Sequence, residues 1–227
     1  MVKGVNGVKM VLNAIINRKS VRSYSNKNVE DSVVKSILEA GIMAPSWVNV
    51  QPWKFIVVRS QDKKDVLSLA AGGQKQVKNA SAVICCVADM TAWEDDKFAK
   101  VMEKQGRDAD VRNYILSNPV LNPSLLGEYE TLLRTVEQMS YAIGYMTLRA
   151  EELGVGACIV GALANELTKS DNGVSGSVKE ILNLSKKQIL LSLLTLGYEN
   201  EPRFVNKSRK DFDEVVSFEK CGENFNV

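Results

Sequence analysis

APSWVNVQPW, residues 44–53, joins an apolar amphipathic run (Val33, Val34, Ile37, Leu38, Ile42) to the strand-like run WKFIVV, and its two prolines say where one ends and the other begins. Pro45 and Pro52 fix φ and bias the residues before them away from α geometry, so a helix must end near Ala44 and an extended chain must follow. Between them Ser46, Asn49 and Gln51 offer a hydroxyl and two amides beside Trp47 and Trp53. That mixture suits a flat ring system edged with carbonyls and N–H groups. The same ten residues also read as an ordinary helix-to-strand loop.

Working outward, the apolar spacing predicts helices near 8–18, 30–43, 61–71, 93–104, 107–117, 128–153 and 176–183, and strands near 54–59, 82–88, 157–160 and 189–198. Ser177 with Glu180 has the spacing of a capping box. WKFIVV, AVICCVA and ILLSLLTLGY are nearly continuous apolar runs, as expected of sheet covered by helices on both faces. The fold class is α+β. No repeat, low-complexity tract or Pro/Gly/Ser-rich linker divides the 227 residues, so a single domain is expected over 1–227.

Composition removes several function classes. The chain has no histidine, which excludes Ser-His-Asp and Cys-His relays and histidine metal ligands. A net charge of +2, with acidic and basic residues interspersed, gives no stripe for a nucleic-acid backbone. Lys9 and Asn13 interrupt the first apolar run, no small-residue cleavage pattern follows it, and no segment approaches the ~20 apolar residues of a membrane span. Four cysteines without regular spacing, Cys85 and Cys86 adjacent in an apolar run, read as buried reduced thiols. No metal site and a cytoplasmic setting are expected.

Two basic clusters lie near opposite ends. RKSVR, residues 18–22, follows the apolar run Val8, Val11, Leu12, Ile15 and Ile16, and KSRK, residues 207–210, follows the last strand. Guanidinium forks, a lysine point charge and a hydroxyl are what a phosphate monoester dianion needs. Either cluster alone more often reads as a solvated basic turn, or, for Arg18 and Lys19, as a complement to the first helix's negative end; together they point to an anion only if the fold brings the ends into contact. Gly154 fits a left-handed helix cap after Leu153, and Gly156 would relieve crowding before a buried strand.

RxSxR, APSxxNxQPW, LGVGACIVGA and LGYENE followed by KSR, in this order, resemble the FMN-dependent nitroreductase family. The resemblance covers almost the whole chain and is weakest from about 91 to 130. It implies a nitroreductase-like fold, a central mixed or antiparallel sheet flanked by helices, in an intertwined homodimer with FMN sites at the interface. Arg18, Ser20 and Arg22, joined by Lys207 and Arg209, would contact the phosphate and ribityl chain, with Lys19 offering only its backbone. Ile159, Val160, Gly161 and Ala162 match the segment whose backbone approaches the ring edge, although many relatives carry Glu where this chain has Gly161. Pro45, Ser46 and Asn49 match the segment reaching the flavin from the partner subunit. Gln76, or by spacing Gln74, matches a polar position near the pyrimidine edge; a helix-end amide facing water is the alternative.

The chemistry the resemblance implies is hydride transfer from NADH or NADPH to FMN and on to a planar acceptor such as a nitroaromatic or quinone, with no catalytic side chain required. Reductive dehalogenation, flavin fragmentation and non-catalytic flavin binding are the alternatives. Segment 91–130, with Trp93, Phe98, Met102 and Tyr114 as anchors, reads either as a lid over the open flavin face or as a dimer-packing element. Trp47 and Met43 read as packing residues.

Overall fold

A computed structural model describes residues 5–168, 173–201 and 204–225, with side chains from residue 11 onward. In chain order the elements are α1 (Val5–Asn17), α2 (Asp31–Ile42), β1 (Trp53–Val58), α3 (Gln61–Ala70), α4 (Lys75–Lys78), β2 (Ala82–Asp89), α5 (Asp95–Lys104), α6 (Ala109–Ser117), α7 (Glu128–Glu152), β3 (Gly156–Val160), α8 (Val174–Leu182), β4 (Gln188–Gly197) and α9 (Phe212–Val215). Short 3-10 turns occupy Trp47–Asn49, Met90–Trp93 and Pro123–Leu125.

Every residue of β2 is buried, which requires neighbours on both edges and cover on both faces. β2 pairs antiparallel with β1 and with β4, and β3 pairs antiparallel with the far side of β4, giving the order β1-β2-β4-β3. Among the described residues the named strands are therefore wholly antiparallel; a lone parallel bridge joins Ser20 to Ala157. One face packs Ile84, Cys86, Leu194 and Leu196 under α2 and α7. The other packs Val83, Cys85, Leu193 and Val160 under α3, α4 and α8. Gly41 lets α2 lie close on α7, because a Cβ there would fall 2.7 Å from Met146 Cγ.

A third cluster lies outside this sandwich. Trp93, Phe98, Met102 and Ile115 bury against Val50, with Trp93 and Phe98 meeting edge to face at 5.5 Å between centroids. Segment 91–130 thus has a core of its own, closed by the loop after α2. Tyr114, expected as an anchor, is instead 62% exposed. The capping box is also corrected: Gly173, at φ 75, caps α8 four residues earlier, so Ser177 lies within the helix and donates to the Gly173 carbonyl. α4 and α9, at four residues each, are too short to carry an apolar period and were not expected. Gly154 takes the left-handed cap conformation, φ 69, as anticipated.

Candidate functional site

Residues 18–25 leave α1 extended and run along the outer edge of the sheet. Val21 N–H donates to the Ala157 carbonyl at 3.0 Å, and Ser25 N–H to the Tyr198 carbonyl at 2.8 Å. Extended backbone alternates its side chains, and here the alternation sorts the charges. Val21 turns inward against Gly156, where a Cβ would lie 2.9 Å from both Val21 and the Gly197 carbonyl oxygen. Lys19 pairs with Glu199 at 2.8 Å. Ser20 bridges to Ala157 beside the buried Cys158 of β3, and the cluster acts on that thiol: burial pushes it up, while Arg22, the Ser20 hydroxyl and Arg18 pull it back. Two guanidiniums and a hydroxyl therefore share one side of the strand, and the nearby carboxylate faces Lys19.

The chain ends do meet. Lys207 Nζ donates to the Ile16 carbonyl in the last turn of α1, a place where a lysine satisfies an orphan helix acceptor. Arg209 donates at 2.7 Å to the carbonyl of its neighbour Ser208 and stays exposed.

Beyond Cys158 the edge strand opens to solvent. Ile159 is 45% exposed and Gly161 and Ala162 are exposed, whereas Val160 is buried in the core and pairs with Leu193. A Cβ at Gly161 would meet nothing within 4 Å, so the space beside it is free. Asn165 holds the following loop down by donating to the Leu190 carbonyl at 2.9 Å. Across the α3–α4 turn, where Gly72 and Gly73 take positive φ, Gln76 is buried rather than facing water, and it donates to the Gln74 side chain. The two glutamine side chains thus lie against each other.

Pro45, Ser46 and Asn49 stand elsewhere. They precede β1, at the opposite edge of the sheet from β3, with β2 and β4 between; three strand spacings amount to ~14 Å. This loop is strained: Val48, Asn49 and Gln51 have φ of 48, 55 and 49°, and each left-handed non-glycine residue costs ~1–3 kcal/mol. Ser46 Oγ accepts from Gln51 N–H at 3.0 Å, and Gln51 Nε2 donates to Asn49 Oδ1 at 3.1 Å. Trp47 N–H donates to Gln138 Oε1 of α7 at 2.7 Å, its indole N–H to the Leu121 carbonyl at 2.9 Å, and Gln105 Nε2, at the C-cap of α5, to the Val48 carbonyl at 2.9 Å. Gln105 and Gln138 lie 57 and 91 residues from their partners and carry no local signal in the sequence. Met43, expected as a packing residue, is 77% exposed within this chain, and Trp47, expected likewise, is 43% exposed.

Among the described residues no helix is long and apolar enough to cross a membrane, and no group of histidine, cysteine, aspartate and glutamate side chains could hold a metal ion.

A helix-covered antiparallel sheet, with a basic, hydroxyl-bearing set at one edge and a polar strained loop at the other, defines an α+β protein. The chain belongs to the Nitroreductase family, whose profile matches residues 15–198; Lys207 and Arg209 lie beyond that stretch. It is 28% identical over 206 residues to an NADH dehydrogenase of Thermus thermophilus, covering 83% of this chain and 86% of that one. An FMN reductase [NAD(P)H] of Bacillus subtilis is 26% identical over 188 residues, covering 83% of this chain and 65% of that one. A nitroreductase-like protein of Streptococcus mutans shares the fold with a TM-score of 0.78 at 20% identity, over 93% of this chain and 98% of that one.

Proposed function

We propose that this chain is an NAD(P)H-dependent FMN oxidoreductase that reduces a planar acceptor such as a nitroaromatic or a quinone. The observation that carries the reading is the sorted edge strand: Arg18, Ser20 and Arg22 on one side around Cys158, with Lys19 and its carboxylate on the other. Two forked donors and a hydroxyl suit a phosphate dianion, and the exposed residues Ile159, Gly161 and Ala162 beside the open space at Gly161 suit a flat ring. The relatives named for NADH and for FMN support the same cofactors.

When bound, FMN supplies acceptance of hydride from NADH or NADPH and its onward delivery. The protein's part is to bind and orient. Arg18, Ser20 and Arg22 hold the phosphate, with Lys207 and Arg209 approaching from the far end of the chain. The Gln74–Gln76 pair meets the pyrimidine edge, and Ile159, Val160, Gly161 and Ala162 present backbone to the ring. Pro45, Ser46 and Asn49 come from a second copy, because within one chain they sit at the other sheet edge. Val11, Leu12, Ile15 and Ile16 of α1, each more than half exposed, supply apolar surface for that homodimer.

The test is anaerobic mixing of FMN-loaded protein with NADH or NADPH, followed by addition of a nitroaromatic or a quinone. Bleaching of the yellow flavin and its return on addition of acceptor are expected. Protein that takes up no FMN, or flavin that stays oxidised under excess nicotinamide, overturns the proposal.

A further inference from the structure

We infer that Gln138 is a positioning residue for the cofactor site, and that segment 91–130 acts with it as a brace that fixes the loop 46–51. The inference rests on the flavin reading above and adds a role for residues outside the assigned contacts.

Three left-handed non-glycine residues within four positions, one of them the β-branched Val48, do not persist unless their surroundings hold them. The holders come from three places outside the loop. Gln138, only 4% exposed, accepts the Trp47 N–H from α7. Gln105 donates to the Val48 carbonyl from the C-cap of α5, and the Leu121 carbonyl, in the turn after α6, receives the Trp47 indole N–H. Val50 is buried among Trp93, Phe98, Met102 and Ile115, which anchors the loop's far end. Asn49 is left exposed, its amide oxygen steadied by Gln51. What the brace fixes is therefore the direction in which Ser46 and Asn49 present their polar groups. Gln138 is its buried member, and without its carbonyl the Trp47 N–H would lack an acceptor in a half-buried place.

The experiment is a double-mutant cycle on FMN affinity, measured by flavin fluorescence on reconstitution of the full-length apoprotein. It uses Gln138→Leu, Asn49→Ala and the pair, alongside thermal melts of each apoprotein and the visible spectrum of the bound flavin. Gln138→Leu is expected to weaken FMN binding roughly tenfold and to shift the flavin bands. In the Asn49→Ala background the same change should cost little more, because both act through one loop. A purely structural role for Gln138 would lower the apoprotein melting point while its effect on FMN binding added in full to that of Asn49→Ala; that result, or wild-type affinity in Gln138→Leu, overturns the inference. Should Gln138→Leu fail to fold, Gln105→Leu removes the exposed member of the brace and is expected to weaken FMN binding in the same way, to a smaller degree. Wild-type protein that binds no FMN would instead sink the flavin reading itself.

Discussion

The two halves of the candidate site are built by opposite means. At the β3 edge, residues 18–25 are held by backbone pairing to Ala157, Tyr198 and Glu199 with no left-handed residue among them, and the candidate side chains follow from alternation. At the β1 edge, residues 46–51 are held out of their preferred geometry by side chains that reach in from the C-cap of α5 and from α7. A site half made of ladder tolerates side-chain exchange without losing its shape. A half made of strain depends on residues far from the ligand. The difference teaches where function can be lost without touching a contact residue.

The largest effect should come from the β3 edge, where the contacts themselves are charged. Arg18→Ala with Arg22→Ala removes two guanidiniums while leaving the Val21–Ala157 bond intact. Hydrogen bonds to charged groups contribute ~1.5–3 kcal/mol each, so the pair should weaken FMN binding by ~3–6 kcal/mol, or roughly two to four decades. Equilibrium dialysis against FMN measures it, and purified protein should be colourless. Full retention of flavin would break the comparison at its stronger side, since the alternation would then serve no anion.

The next test separates the ladder from the ligand within the same edge. Gly156→Ala places a methyl 2.9 Å from Val21 and from the Gly197 carbonyl oxygen, so the edge strand must shift; overpacking of this kind costs ~1–3 kcal/mol. Gly161→Ala, five residues on, meets nothing within 4 Å and should change the stability of the apoprotein by less than ~0.5 kcal/mol. Urea unfolding of the two apoproteins reads the contrast. Equal losses would mean that Gly161 is needed by the chain's own packing rather than left open for a ligand.

The same contrast explains what could be read from the sequence. RKSVR carries its own geometry: once extended, period 2 sends positions 18, 20 and 22 one way and 19 and 21 the other. The runs of β2 and β4 were equally plain, because strands this rich in apolar residues, AVICCVAD and QILLSLLTLG, leave little choice but burial. Strand order was not legible, since nothing local says that β4 inserts between β2 and β3. With it was lost the fact that Pro45, Ser46 and Asn49 stand at the far edge from Arg18; the family resemblance, not the spacing, assigned them to a second copy. The brace was hidden for a related reason. A glutamine in an amphipathic helix looks like a solvated residue until the fold puts a backbone N–H against it, as Trp47 is put against Gln138. Met43 and Tyr114 misled in the other direction, because side-chain type predicts burial only on average.

The smallest expected effect tests the alternation from its silent side. Lys19 lies between Arg18 and Ser20 in sequence, and by charge alone it would rank with them as a phosphate ligand. Its ammonium is instead paired with Glu199 at 2.8 Å, on the side of the strand away from the guanidiniums. Lys19→Ala therefore removes a partly exposed ion pair, a class that contributes ~0.2–1 kcal/mol to stability, and should alter FMN affinity by about twofold or less. Salt matters to the measurement, since a lost positive charge still weakens the field felt by an approaching anion. At ~0.15 M ionic strength the Debye length is ~8 Å, and that residual term is mostly screened. Titrations at low and at physiological salt should converge toward wild-type affinity as salt rises. A loss as large as that of Arg18→Ala, undiminished by salt, would mean that Lys19 turns to the ligand when it binds, and the fixed alternation of the edge strand would have to be given up.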